Sequence, residues 1–185
     1  IVMLLCAVPV MAQQANSVHL RHATMPVQPN GSTWLQEAAK KAHSAEPEQV
    51  LIQFRNVPSE AQRTTLEKSG ITILNYVSDG AYSAMVHYPV SAEAIGQVPI
   101  QSVNPIKGEW KADTYLWKQI TAQTRGSVEV LVSFCPQIDA KTCTDHIQQA
   151  GGQIVPNSLQ DMGVYKVQIA GSAVKQLAEW YGVKH

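Results

Sequence analysis

The run QVLIQF at 49–54 returns as EVLVSF at 129–134, and the segments that follow each run return with it. A chain that carries one supersecondary unit twice folds as two similar bodies, so this repeat limits the fold more than any other feature. Both runs are continuous, apolar and of strand length, and both end in Phe. Each leads through a short link containing Pro58 or Pro136 to a helix start, Ser59 in one copy and Asp139 in the other. Ser and Asp accept hydrogen bonds from the free N–H groups of a first helical turn, which makes them good N-caps. Ala61, Thr65, Leu66 and Ser69 give the first helix its inner face. Ala140, Cys143, Ile147 and Ala150 do so for the second, and the helices stop at Gly70 and Gly151.

Two strands joined by a turn come next in each copy. ITILNY (71–76) aligns with QIVPNS (153–158), and AYSAMVHY (81–88) with VYKVQIAG (164–171). The turns are built on Asp79-Gly80 and on Asp161-Met162-Gly163, where Gly supplies the positive φ. Alternation along the third strand puts Tyr82, Ala84 and Val86 on one face, and Tyr165, Val167 and Ile169 in the other copy. The intervening residues are mostly small or polar, which predicts a sheet with one face covered and the other partly open. SAEAIGQV (91–98) and SAVKQLAEW (172–180) read as second helices. IQSVNPI (100–106) reads as a last strand, and GVKH (182–185) as the start of one. Each unit is therefore β-α-β-β-α-β, the ferredoxin-like split arrangement. The expected class is α+β with two tandem units, the second truncated in its last strand, so that the chain reads as an N-terminal fragment of something longer.

The remaining segments sort around these units. Residues 1–12 read as part of a signal peptide and 13–47 as an N-terminal arm with a short helix at WLQEAAKKAH. The first unit occupies 48–108, a linker helix 109–126 and the second unit 127–185. The arm, polar with Pro26 and Pro29, is expected to be extended. The linker helix is expected to turn Tyr115, Leu116 and Ile120 toward the units.

The export reading rests on IVMLLCAVPVMAQQ. Its apolar run is shorter than the roughly 20 residues a bilayer span requires, and Val10-Met11-Ala12 fits the small-residue rule of signal peptidase. In an oxidising compartment Cys135 and Cys143 form a candidate disulfide; two reduced, partly buried thiols are the alternative, and geometry decides between them. Lys plus Arg and Asp plus Glu are 14 each, for a net charge of zero. A neutral chain without a basic cluster lacks the patch that nucleic-acid binding requires.

No catalytic chemistry stands out. There is no Gly-x-Ser-x-Gly elbow and no phosphate-cradling glycine loop. Glu60, Glu67 and Asp79 read as surface, cap and turn residues, and neither cysteine has an evident histidine partner. Cys143 and His146 stand at helical i, i+3 spacing but find no further zinc ligands. His19 and His22, in HLRH, read as a solvated pair rather than a metal pair. The reading therefore assigns no catalytic, cofactor or metal residue to this chain. Tyr76, Tyr82 and Tyr165, around the hairpin turns, are candidate partner contacts, with Tyr82 the more structural and Tyr76 the better contact.

VLIQFRNVPSEAQRTTLEKSGITILNYVSDGAYSAMV (50–86) resembles the N-terminal region of secreted subtilisin-like serine peptidases, especially the large exported ones of Bacteroidetes-type bacteria. The shared features are a strand ending in Gln-Phe, a helix beginning near Pro-x-Glu, Leu-Glu-x-x-Gly, and a Tyr-Val/Ile-Pro-x-x-Ala-Tyr hairpin. Here the hairpin reads Tyr76, Val77, Ala81 and Tyr82, with Ser78 where Pro is common. SVNPIKGEWK (102–111) and HLRHATMPVQPN (19–30) extend the likeness. The resemblance implies a prodomain-like module of the peptidase inhibitor type, preceding a catalytic domain with an Asp-His-Ser triad. The partner it implies is that catalytic domain in cis, which the module would help to fold and would inhibit. A free-standing secreted inhibitor or protein-interaction module is the rival.

Overall fold

The computed structural model describes residues 17–20, 24–43, 46–96, 98–122 and 126–184. The signal-peptide reading of 1–12 and His22 lie outside them. The architecture is α+β.

In the first unit, β3 (Glu48–Phe54), α2 (Glu60–Lys68), β4 (Ile71–Ser78), β5 (Ala81–Val86), α3 (Ala92–Ile95) and β6 (Ile100–Pro105) follow the path read from the sequence. Their sheet has the order β4-β5-β3-β6 with every pairing antiparallel. That is the strand order of a split β-α-β arrangement, in which each crossover helix skips one strand. Ser59 caps α2 in a full capping box, its hydroxyl accepting from the Gln62 N–H while the Gln62 side chain accepts from the Ser59 N–H. Asp79 and Gly80 both have positive φ, 50° and 74°, as the type I′ turn of a two-residue hairpin demands.

The second unit repeats this with β7 (Ser127–Ser133), α5 (Ala140–Gln149), β8 (Gln153–Val155), β9 (Val164–Ala170) and α6 (Gly171–Glu179), in the order β7-β9-β8. Asp139 caps α5, accepting from the Thr142 N–H. In the fourth-strand lane a bridge joins Phe134 to Val183, and the Lys184 N–H donates to the Ser133 carbonyl at 2.8 Å. The register refines the alignment of the second strands. Gln153 faces Gln168 as Thr72 faces Met85, which is one residue away from the match made by sequence.

Each unit has its own core between sheet and helices. Val50, Ile52, Phe54, Leu66, Ile71, Tyr82 and Val103 build the first, and Val130, Val132, Phe134, Ile147, Val167 and Leu177 the second. Helix α1 (Gly31–Ala38) adds Leu35 and Ala38 to the first core. Asn30 precedes α1 and pairs with β6 as a strand would, its amide donating to the Val103 carbonyl and accepting from the Val103 N–H, both at 2.8 Å.

The second sheet face of the first unit corrects the sequence reading. The expected extended arm is a hairpin, β1 (Ser17–His19) paired with β2 (Thr24–Pro26), and it covers that face. Val18, Leu20 and Met25 pack with Leu51, Ala81 and Ile106 in a third apolar cluster. Burial of each such side chain is favourable by about 1.5–3 kcal/mol. Every residue of β5 is consequently buried. Polar residues that suggested an open face find partners inside the protein: Gln53 donates to the Asp79 carbonyl at 2.8 Å, and Ser102 to the Gln53 side-chain oxygen at 3.5 Å. The linker helix α4 (Thr114–Ala122) differs too. Tyr115 points to solvent, whereas Ile120 is buried with Leu116 and Trp117 packed beside it.

Candidate functional site

The two units place matching aromatic side chains at the same corner, where the first strand meets the hairpin turn. The Phe54 N–H donates to the Gly80 carbonyl and the Phe134 N–H to the Gly163 carbonyl, each at 3.0 Å. Phe54 meets Tyr82 edge to face at 5.7 Å between centroids, and Phe134 meets Tyr165 in the same way at 5.4 Å.

Beyond this shared pair the corners part. In the first unit Tyr76, directly across the strands from Tyr82, sets its ring at 5.3 Å from it, and the Arg63 guanidinium lies over the Tyr82 ring at 5.6 Å. Arg63 stands four residues after its N-cap, Ser59, and Cys143 stands four residues after Asp139. A short thiol therefore occupies the helix position of the long cation. No aromatic residue occurs at 153–158, QIVPNS, to repeat Tyr76. Beside Cys143 lies a cleft of about 580 Å³. Its walls include Phe134, Ile138, Cys143, Asp161, Met162 and Tyr165. Burial foremost, with Cys143, Asp139 and Asp161 adding to it, holds the Tyr165 phenol above its ordinary pKa.

The three tyrosines singled out from the sequence separate by burial. Tyr76 is 61% exposed, while Tyr82 and Tyr165 are 6% and 3% exposed. Tyr82 and Tyr165 are core residues and present no free ring to a partner, which corrects their reading as contacts. Tyr76 is both packed on one edge and open on the other.

Of the two alternatives for Cys135 and Cys143, the structure has the separate buried thiols. The cause is strand geometry, since adjacent residues point to opposite sides. Phe134 faces the second core, so Cys135 faces the first unit, where the Gln49 amide approaches its Sγ at 3.7 Å. Cys143 belongs to the second core. Burial pushes both thiols up, that of Cys143 to about 11, so neither is a ready nucleophile. His146, the imagined zinc partner of Cys143, is stacked on Trp180 at 3.7 Å. Among the described residues no three His, Cys, Asp or Glu side chains converge to hold a metal. His19 pairs instead with Asp79 at 3.0 Å, and its backbone exchanges hydrogen bonds with the Ser78 hydroxyl, fixing the N-terminal hairpin to the β4–β5 turn.

A second polar site lies where the units meet, and nothing in the sequence patterns announced it. The Lys111 ammonium donates to the Trp180 carbonyl at 2.7 Å, and the Gly108 N–H to a Glu179 carboxylate oxygen at 3.0 Å. Burial lowers the Lys111 pKa to about 8, partly opposed by Cys135 and Glu179. Gly108 is required by contact: a Cβ there would sit 2.9 Å from the Glu179 backbone nitrogen. No helix among the described residues is long and apolar enough to cross a membrane.

Residues 19–107 are similar to a family described only as a domain of unknown function, DUF8729. That stretch takes in β2, α1 and the whole first unit and stops at the residue before the Gly108 turn. No curated protein and no solved structure matches the chain.

Proposed function

We propose that this chain is the non-catalytic N-terminal region of an exported subtilisin-like serine endopeptidase. It acts as an intramolecular folding assistant and inhibitor of the catalytic domain. The observation that carries this reading is that the residues resembling such prodomains, Val50 to Val86, form the β-α-β-β part of the first β-α-β-β-α-β unit. A module that binds only the folded catalytic domain shifts that domain's folding equilibrium toward the native state.

The surface for such a partner is better sought on the second unit. The hairpin hides the corresponding face of the first. On the second sheet Glu129, Leu131 and Gln168 remain exposed, with Lys166 paired to Glu129 at 2.8 Å. A fluorophosphonate probe applied to the natural exported protein tests the reading. Labelling of a serine in the same polypeptide as these residues supports it, and an unlabelled polypeptide that never carries such a serine overturns it. The chain of 185 residues has no turnover of unfolded casein on this reading, and appreciable turnover would defeat the division of labour.

The second reading, a free-standing inhibitor or interaction module, is favoured by the large apolar side chains left open: Val57, Tyr76, Leu131 and Met162.

A further inference from the structure

We propose that the outer edge of β7 is a strand-addition site for an extended, acidic segment of another polypeptide. The first unit shows what such an edge takes. There β6 lies along β3, with Val103 across from Ile52 and Ser102 across from Gln53, and Val50 and Ile52 are fully covered. In the second unit the same lane holds, among the described residues, only the Phe134–Val183 bridge and the Lys184 N–H bond to the Ser133 carbonyl. Val130 and Val132 each keep some exposed surface, and Leu131 between them is open.

The backbone of β7 is set for a partner. The Phe134 N–H donates to Gly163 on the β9 side and the Cys135 N–H to Gly182 on the other, and this direction alternates along a strand. Even-numbered residues of β7 therefore bond to β9, while Glu129 and Leu131, both exposed, turn N–H and C=O toward the empty lane. An edge of that kind is a template for a further strand. A cavity of about 230 Å³ lies beside it, with Leu116, Val130, Val132 and Leu177 in its walls. Side chains of an added strand alternate, so every second one faces the cavity. The charged residues in the lining are Lys111 and Lys184, with no Asp or Glu. Val183 belongs to the second core, so Lys184 turns to the opposite side of the lane, and the Glu129 carboxylate is already paired with Lys166. The segment selected has apolar side chains at alternate positions and a carboxylate among the others. This edge is independent of the peptidase reading.

The test is a titration of the isotope-labelled full chain with the peptide acetyl-Glu-Val-Thr-Val-amide. Laid antiparallel to β7 with its Glu across from Leu131, the peptide turns both valines to the cavity side. Its Glu and Thr N–H groups then donate to the Leu131 and Glu129 carbonyls. Saturable amide shifts centred on Glu129 and Leu131, with slowed hydrogen exchange at both, are expected. N-methylation of the peptide's Thr removes one of these bonds and weakens binding about tenfold. N-methylation of the Val before it, whose N–H points away from β7, leaves binding unchanged. Lys184→Glu weakens the acidic peptide several-fold. Equal binding of the two methylated peptides, shifts away from β7, no saturable shift, or no effect of Lys184→Glu overturns the proposal. So does slow exchange of the Glu129 and Leu131 amides before any peptide is added, which would give the edge to the chain itself or to a second copy.

Discussion

Among the described residues, the first unit is closed on both sheet faces and the second on one. Leu51 and Leu131 show what this means, because they occupy the same place in corresponding strands. Leu51 is 1% exposed beneath the hairpin and Leu131 is 63% exposed on the uncovered face. A leucine at a given position of this fold is therefore core or surface according to what lies over the sheet. The strand itself does not decide it.

The sharpest way to break this comparison is to truncate both leucines. Leu51→Ala is expected to cost about 2–5 kcal/mol through lost burial and the cavity left behind. Leu131→Ala is expected to stay within about 0.5 kcal/mol of the parent. Denaturant unfolding of each variant measures the difference, and similar losses would mean that the hairpin does not cover the first sheet.

Next in size is the junction between the units. Lys111 has a folded pKa of about 8, well below the ordinary 10.5. Below pH 8 the folded protein carries a buried ammonium at a cost. Between pH 8 and 10.5 the unfolded chain holds the proton that the folded chain has released, so stability attributable to Lys111 rises across that window. The full rise is up to about 3 kcal/mol. The buried thiols act oppositely above their unfolded value, because a raised folded pKa loses stability as pH climbs. The informative quantity is thus the parent-minus-Lys111→Met difference, which should grow with pH over that window. A flat difference would show that Lys111 is solvated and the units do not close over it.

Smaller still is the effect of Tyr76→Ala. Its edge-to-face contact with Tyr82 is expected to be worth about 0.5–1.5 kcal/mol despite the ring's exposure. No loss in thermal unfolding would leave Tyr76 as a purely surface residue. The smallest effect is chemical: alkylation of Cys135 and Cys143 should be slow in the folded protein and complete on unfolding without reductant. A pair that resists alkylation when unfolded would be a disulfide.

Much of the fold was legible because the repeat is carried by apolar strands and capped helices. Phe54 ends its strand and Phe134 follows its own directly, Ser59 and Asp139 start their helices, and Gly80 and Gly163 turn their hairpins. The covered face was not legible. Gln49, Gln53, Ser83 and Ser102 alternate with apolar neighbours and look solvent-facing, yet all four are buried. A polar side chain such as Gln53 or Ser83, bonded to a backbone carbonyl inside the protein, leaves the same sequence pattern as one satisfied by water. The hairpin was hidden likewise, since Val18, Leu20 and Met25 are spread through a polar segment. The corner cleft was half legible. Cys143 at the helix position of Arg63 can be read by aligning the helix caps, but the cleft beside it is seen only once Phe134, Met162 and Tyr165 are placed.

The hairpin also bears on timing. Val18, Leu20 and Met25 are made early, but the surface that buries them needs β3, β5 and Ile106, which are made late. At about 5–20 residues per second, the last of these follows several seconds behind. For that interval the apolar side of the hairpin has no native place to go.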